Sequence, residues 1–179
     1  ITARPDIPPR LYSISSAETN ALIEILYKVI PEGVLTPELY NLKTGNNIYI
    51  TLPFGRFIAQ PGPAWYIATG TGLAPFLSMI RSGFTNCLKL LHGSRMLDDL
   101  YENIYLTKTL DENNIQCYTG TEVFDGYKGR LTQYIRETPS LNPSHKYYLC
   151  GRAEMVVDAR DILLSRKIPF QHIYSEIYF

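Results

Sequence analysis

The feature of the sequence that most constrains the fold is the alternation of short apolar runs with helical stretches after residue 62. Short runs rich in β-branched and aromatic residues predict strands, and longer stretches with apolar residues three or four positions apart predict helices. Alternation of the two predicts βα units around a parallel sheet with helices on both faces. The predicted strands are Trp65–Ala68, Cys87–His92, Ile115–Tyr118, Tyr147–Cys150 and Phe170–Tyr174, and the predicted helices are Ala74–Arg81, Leu97–Leu110, Arg130–Glu137 and Glu154–Arg166.

Residues 1–61 follow a different pattern, which is typical of antiparallel β-structure with one short helix. Ala21–Ile30 is rich in β-branched and aromatic residues, and apolar and polar side chains alternate along Asn47–Leu52. Both patterns predict strands. Thr36 stands directly before a proline, which predicts that a helix begins there with Thr36 as its N-cap.

A linker is predicted where the two patterns meet. Gln60–Pro63 contains two prolines around a glycine, and proline blocks both helix and ladder hydrogen bonds. The sequence therefore predicts two domains, residues 1–61 and residues 62–179.

Charge and composition exclude several classes of function. Lys and Arg number 17 and Asp and Glu number 17, so the excess of cations that nucleic-acid binding needs is missing. No apolar run approaches the ~20 residues of a membrane-spanning helix, and no leader marks the chain for export. The scattered cysteines and histidines fit neither a disulfide framework nor a metal site; they are Cys87, Cys117, Cys150, His92, His145 and His172. These features predict a cytoplasmic protein without a protein-held metal.

A glycine-rich turn follows the first predicted strand of the parallel sheet. It contains Thr69, Gly70, Thr71 and Gly72 and leads directly into a predicted helix. Two glycines allow the backbone to approach an anionic ligand, and the helix start offers unpaired N–H groups. In open α/β sheets, ligands bind beyond the carboxyl ends of the strands. A tight turn that binds nothing is an equally acceptable reading of these residues alone.

Further polar residues follow later strands. Ser94 and Arg95 come after the second strand, and Arg130 opens a later helix. A guanidinium beside a hydroxyl suits the 2′-phosphate of NADP, although solvated surface arginines are the commoner case. Cys150 and Gly151 end another strand, where a lone cysteine is usually a packing residue.

Six motifs in order resemble the ferredoxin–NADP⁺ reductase family, and most closely its bacterial flavodoxin/ferredoxin reductases. The motifs are Arg10-Leu11-Tyr12-Ser13, Gly33-Val34-Leu35-Thr36, Pro53-Phe54-Gly55, Ala68 to Phe76, Cys150-Gly151 and Glu176-Ile177-Tyr178-Phe179. The resemblance covers most of the chain from residue 10. It implies that residues 1–61 are an FAD-binding β-barrel, N-terminally incomplete, and that residues 62–179 are a Rossmann-like NADP-binding domain.

The resemblance also implies roles for individual residues. FAD contacts are expected from Arg10, Leu11, Tyr12, Ser13, Val34, Leu35, Thr36, Thr71, Tyr178 and Phe179. NADP contacts are expected from Thr69, Gly70, Thr71, Gly72, Ser94, Arg95, Thr121, Arg130 and Gly151. Catalytic positions are expected at Ser13, Cys150 and Glu176. Tyr12 and Phe179 would cover opposite faces of the flavin ring, with Ser13 near its N5 atom and Arg10 on the pyrophosphate.

The function implied is an FAD-dependent oxidoreductase that passes electrons from NADPH through flavin N5 to ferredoxin or flavodoxin. Two alternatives stay open: a reductase component of an oxygenase system, and an NADP-binding or interaction module without FAD or catalysis. Thr121 stands where the family places an arginine, which is expected to weaken the preference for NADP over NAD. Nine residues precede Arg10, fewer than the opening strands of a closed barrel need.

Overall fold

A computed structural model describes residues 1–84 and 86–178. Within them, six parallel strands form one sheet in the order β4-β3-β2-β1-β5-β6. The strands are β1 (Ala64–Thr69), β2 (Cys87–Ser94), β3 (Asn114–Tyr118), β4 (Tyr127–Lys128), β5 (Lys146–Arg152) and β6 (Ile173–Tyr178). The helices are α1 (Leu35–Asn41), α2 (Ala74–Arg81), α3 (Asn103–Leu110), α4 (Leu131–Glu137) and α5 (Ala153–Ser165). This arrangement confirms the predicted α/β class.

Helices cover both faces of the sheet because successive strand residues point to opposite sides. One face buries Ile67, Leu91 and Leu149 against α4 and α5. The other buries Tyr66 and Leu90 against α2 and α3. The strand order reverses between β1 and β5, so the crevice beyond their carboxyl ends is the switch point at which ligands bind in such sheets.

Two predicted elements of the sheet region differ from those in the structure. The helix predicted over Leu97–Leu110 is a 3₁₀ turn at Leu97–Asp99 followed by α3, because Glu102 takes a left-handed φ of 54° that a continuous helix cannot accommodate. The strand predicted over Phe170–Tyr174 begins as a 3₁₀ turn at Phe170–His172. It becomes extended only in β6, where it pairs with β5.

The strands predicted in residues 1–61 are wrong as continuous elements. Pairing in this part of the described chain is reduced to two antiparallel bridges, Thr2 with Tyr49 and Ile14 with Ile25. An extended segment becomes a strand only when a neighbour satisfies its backbone, and sequence pattern does not supply that neighbour.

Thr36 is not the N-cap of α1, which begins one residue earlier, at Leu35. Its hydroxyl oxygen instead accepts a hydrogen bond from the backbone N–H of Ile30 at 2.9 Å. Leu35 and Leu39 turn inward from α1 and form a small core with Ala3 and Ile7. The threonine therefore fixes the approach to the helix and leaves its first turn uncapped.

Side-chain contacts join the N-terminal segment (residues 1–61) to the sheet region (residues 62–178). The Arg81 guanidinium donates to the carbonyl oxygen of Ser15 and to the carboxylate of Glu24, each at 2.9 Å. Lys28 pairs with Asp99 at 2.6 Å. The division into domains at residues 61 and 62 stays a prediction. Among the described residues, no helix is long and apolar enough to cross a membrane.

Candidate functional site

The turn after β1 is packed directly against the end of β5. Gly70–Leu73 forms a 3₁₀ turn that runs into α2. A side chain at Gly72 would collide with the carbonyl group of Cys150, and one at Gly151, whose φ is +139°, would collide with Thr69. The backbone N–H of Arg152 donates to the Thr69 hydroxyl at 3.3 Å. Glycine is required at both positions because two backbones meet there, so the predicted Thr69–Gly72 turn and Gly151 share one site.

Ser13, Cys150 and Glu176 meet at the carboxyl ends of β5 and β6. Cys150 is the register partner of Glu176 across these strands. The Ser13 hydroxyl, 163 positions away in the sequence, donates to Glu176 Oε2 at 3.2 Å. The structure thus brings together the three residues that the resemblance placed at the catalytic centre.

Burial governs the protonation of this cluster. It raises the pKa of the Glu176 carboxyl above its usual range, and the hydrogen bond from Ser13 offsets part of that shift. Burial also raises the pKa of the Cys150 thiol, an effect to which the neighbouring Glu176 adds. The sulfur is therefore held as a neutral thiol, which suits a residue that lines a site rather than attacks a substrate.

Tyr178 adds a buried hydroxyl close to Cys150 and Ser13. Burial raises the pKa of this phenol, with Cys150 the next contributor. Its oxygen is buried without a hydrogen-bond partner among residues 1–84 and 86–178. An orphaned hydroxyl at this edge is a group that a polar ligand atom would satisfy. Phe179, the predicted cover of the flavin ring, lies outside the described residues.

The other predicted FAD contacts come from the N-terminal segment. Tyr12 is partly buried against Tyr27, edge to face with ring centroids 6.1 Å apart. The side chains of Arg10, Leu11 and Val34 are exposed, and Thr36 is partly buried. Leu35 is a core residue of α1, so its side chain is used in packing and any contact with a cofactor falls to its backbone.

The predicted 2′-phosphate residues lie at the ends of β2 and β3 and at the start of α4. The N–H of Thr119 donates to the carbonyl of Ser94 at 3.1 Å, which joins the two strand ends. The side chains of Arg95, Thr121 and Arg130 are exposed. The Ser94 hydroxyl donates to the carbonyl of Met96 at 2.8 Å. It therefore shapes the turn and would have to rotate before it could donate to a phosphate.

Two features of this edge were missed by the sequence analysis. His92 is fully buried, and its Nε2 atom lies 3.1 Å from the carbonyl oxygen of Gly70. Strand β4 was too short to recognise, yet it carries Lys128, whose ammonium lies 4.6 Å from the ring centroid of Tyr118 and 2.9 Å from the carbonyl of Glu122. The apolar run around His92 marked a strand, and no sequence signal marked the contact with Gly70.

Two shallow clefts lie at the opposite, amino end of the sheet and do not coincide with this site. Their volumes are about 390 and 310 Å³. The first is lined by Trp65, Leu88, Lys89, Ser140, Leu141, Asn142 and His145. We place the functional site at the carboxyl edge, because the polar cluster and the glycine turn are both there. In the described part of the chain, His, Cys, Asp and Glu form no group of three suited to a metal ion.

The switch-point crevice and its glycine turn define a doubly wound α/β domain of the dinucleotide-binding class. A family model described as the oxidoreductase NAD-binding domain matches residues 66–161. That match covers more than half of the 179 residues. The chain belongs to the oxidoreductase NAD-binding domain family.

Curated relatives and solved structures agree with this assignment. Ferredoxin–NADP reductase A of Sorangium cellulosum is 29% identical over an alignment of 187 positions, and the alignment covers 88% of this chain and 66% of that protein. The ferredoxin–NAD(P)⁺ reductase component of the naphthalene 1,2-dioxygenase/salicylate 5-hydroxylase systems of a Ralstonia species is 30% identical over an alignment of 185 positions. That alignment covers 95% of this chain and 56% of that protein. The chain thus spans from just over half to about two thirds of these relatives' lengths.

A ferredoxin–NADP⁺ reductase from Neisseria gonorrhoeae, solved with bound FAD and NADP, has a TM-score of 0.77 and 22% identity. The similarity covers 95% of this chain and 80% of that chain. A structural likeness at this level of identity establishes the fold. Together with the curated relatives, it confirms the resemblance to ferredoxin–NADP reductases that the six motifs predicted.

Proposed function

We propose that this chain is the NADPH-binding and electron-transferring part of an FAD-dependent reductase whose acceptor is a one-electron carrier, ferredoxin or flavodoxin. Residues 1–61 contribute to the flavin site and residues 62–179 bind the dinucleotide. The observation that carries the proposal is the meeting of Ser13, Cys150 and Glu176 beside the glycine turn. The buried free cysteines are in keeping with a cytoplasmic location.

The residues present fit both cofactors. The first N–H groups of the 3₁₀ turn have no acceptor within the turn. A Cβ at Gly70 would meet nothing within 4 Å, so a dinucleotide has open space beside the backbone there. The orphaned Tyr178 hydroxyl and the Ser13–Glu176 pair supply polar atoms at the switch point. FAD bound there would supply the redox chemistry, taking a hydride from NADPH and releasing its electrons singly.

The protein's own contribution is positioning and proton control. Ser13 Oγ is held by Glu176, which fixes the hydroxyl at the edge of the crevice. Because burial raises its pKa, the Glu176 carboxyl takes up a proton more readily than an exposed glutamate does. Cys150, kept as a neutral thiol, packs behind the glycine turn and excludes water there. These residues would hold the two reacting rings in contact while solvent is excluded.

Arg130 tests the dinucleotide half of the proposal. Replacing Arg130 by Met should raise the KM for NADPH about tenfold, because a charge-assisted contact to the 2′-phosphate is lost, and should leave the KM for NADH nearly unchanged. Ferricyanide reduction measures both. Arg136→Met is the matched control, since Arg136 is exposed in the last turn of α4, the helix that Arg130 precedes. Equal effects of the two variants on NADPH would contradict the assignment.

Ser13 tests the flavin half. Ser13→Ala should lower the rate of flavin reduction by about 10- to 100-fold, the scale expected for loss of one hydrogen bond that involves a charged group. Ser175→Ala, one residue before Glu176 and exposed, is the control and should change little. Stopped-flow absorbance of the FAD-loaded protein follows the reaction, and an unaltered rate in Ser13→Ala would refute the role.

A reductase component of an oxygenase system is the second candidate, because the Ralstonia relative belongs to such systems. Reduction assays with a ferredoxin, a flavodoxin and an oxygenase-type iron–sulfur protein distinguish the two candidate functions. The acceptor that is reduced fastest identifies the function. A purified protein that binds NADPH and retains no FAD would instead support a dinucleotide-binding module without catalysis.

A further inference from the structure

His92 lies under the glycine turn and contacts it through a single ring atom. The residue is 0% exposed, on the sheet face that also carries Leu90, and it pairs in register with Ala68 of β1. Its Nε2 atom lies 3.1 Å from the carbonyl oxygen of Gly70. A carbonyl only accepts hydrogen bonds, so the proton of the ring is on Nε2 and the imidazole donates to the turn.

Core packing does not explain a histidine at this position. Nδ1 is left as a buried acceptor with no donor within the described residues, and such a group costs about 1–3 kcal/mol. Its aromatic neighbour Tyr101, with ring centroids 6.4 Å apart, directs its own hydroxyl to Asp99 instead. Burial lowers the pKa of His92 to about 4, so the ring is neutral and keeps one N–H. A leucine would fill the volume without an unsatisfied acceptor.

The hydrogen bond sets the direction of the next peptide group. The Gly70–Thr71 bond is trans, and in a planar trans peptide the carbonyl and the following N–H point in opposite directions. With the Gly70 carbonyl drawn inward to His92, the Thr71 N–H points outward to the carboxyl edge of the sheet. The Thr71 N–H is one of the first N–H groups of the 3₁₀ turn, and these groups have no acceptor within the turn.

We propose that His92 is a positioning residue for dinucleotide binding, which holds the Gly70 carbonyl inward so that the Thr71 amide faces the ligand. This inference rests on the proposed function, since it gives His92 a positioning role at the same dinucleotide site. His92 touches no ligand itself. It acts through the turn, and the orphaned Nδ1 is the stability cost of that arrangement.

The test compares three variants with two ligands. His92→Leu removes the donor, His92→Gln places an amide N–H near the position of Nε2, and His92→Asn places one near the position of Nδ1. Calorimetry gives the Kd of each for NADPH and for adenosine 2′,5′-bisphosphate, a fragment that lacks the nicotinamide half. Thermal unfolding of each variant reports stability separately.

We expect His92→Leu to weaken NADPH binding about 5- to 10-fold, the equivalent of one lost hydrogen bond. Binding of the bisphosphate should stay close to wild type, because the predicted 2′-phosphate residues lie outside the glycine turn that His92 positions. The Tm should not fall, because the substitution removes the buried, unpartnered Nδ1. His92→Gln should recover NADPH affinity to within about threefold, and His92→Asn should not. The order of Gln and Asn keeps the test decisive if the leucine variant does not fold.

Three results would overturn the inference. One is unchanged NADPH affinity in His92→Leu and another is equal affinity in the Gln and Asn variants. The third is a parallel loss of both ligands with a lowered Tm, which would show a purely structural role. Wild-type protein that binds neither ligand would overturn the proposed function as well, so the two failures are distinguishable.

Discussion

The sheet region and the N-terminal segment are stabilised in different ways. In the sheet region, both faces carry a continuous core in which Tyr66, Phe76 and Leu149 are almost completely inaccessible to solvent. The N-terminal segment has a small core around α1, and it leaves Leu52 87% and Phe54 74% exposed. One region is stabilised by its own packing, whereas the other depends on contacts with its neighbour.

The candidate site lies where these two regions meet. The glycine turn and Glu176 belong to the sheet region, where parallel strands fix them. Ser13 comes from the N-terminal segment, which the contacts of Arg81 and Lys28 help to attach to the sheet region. A ligand bound between the two would add the contacts that the N-terminal segment lacks. Binding should therefore stabilise that segment more than it stabilises the sheet.

The largest effect should come from truncating the sheet core. Phe76 is 0% exposed and stacks on Tyr66 with ring centroids 4.8 Å apart. Phe76→Ala should lower the free energy of unfolding by about 4 kcal/mol, and Leu39→Ala in the small core by about 2 kcal/mol. Urea unfolding, followed by fluorescence of the single tryptophan in β1, measures both. Equal losses would contradict the contrast between the two cores.

Acid should weaken the sheet region through His92. Its pKa is lowered from 6.5 to about 4 in the folded protein, so below pH 6.5 the unfolded chain binds a proton that the folded chain does not. Stability is full above pH 6.5 and falls as the pH drops toward 4, by up to about 3 kcal/mol. Urea unfolding across this range should show a shallower dependence in His92→Gln. An identical pH dependence of the free energy of unfolding in wild type and in His92→Gln would show that His92 is not the group responsible.

Removing the contacts of the Arg81 side chain should open the N-terminal segment locally. Arg81→Met loses the contacts of its guanidinium with Ser15 and with Glu24. The amide of Ser15, which donates to the carbonyl of Glu24 at 2.8 Å, should exchange its hydrogen about tenfold faster, while amides of β2 keep their rates. Lys108→Met, an exposed cation on α3, is the control. Faster exchange throughout the sheet would show that the Arg81 contacts stabilise the whole protein and not the N-terminal segment alone.

The smallest effect is expected at the junction itself. Burial raises the pKa of Glu176 in the folded protein, so its ionised form costs stability above that pKa and costs nothing below the unfolded value near 4.5. Glu176→Gln should therefore be slightly more stable than wild type at pH 8, with the gain vanishing below pH 4.5. Glu154→Gln, exposed on α5, should show no gain. A gain that persists in acid would point to a cause other than charge burial.

Local pattern was enough to predict much of the sheet region. Helix α2 spans Ala74–Arg81 as predicted, because a glycine turn and a proline mark its start and its apolar residues recur at helical spacing. The predicted turn at Thr69–Gly72 also lies where a ligand-binding turn was expected, since it directly follows a buried strand. The same kind of reasoning failed for Asn47–Leu52, because alternation gives a strand its faces and does not give it a partner.

The sequence by itself determined the order of the βα units, their buried faces and the polar residues that follow the strands. Those properties depend on side-chain spacing and backbone preference within a few residues of each other. Tertiary structure alone decided that Ser13 reaches Glu176 across 163 positions and that His92 lies under Gly70. Contacts of this kind depend on how strands and segments pack in space, and many arrangements share one local pattern.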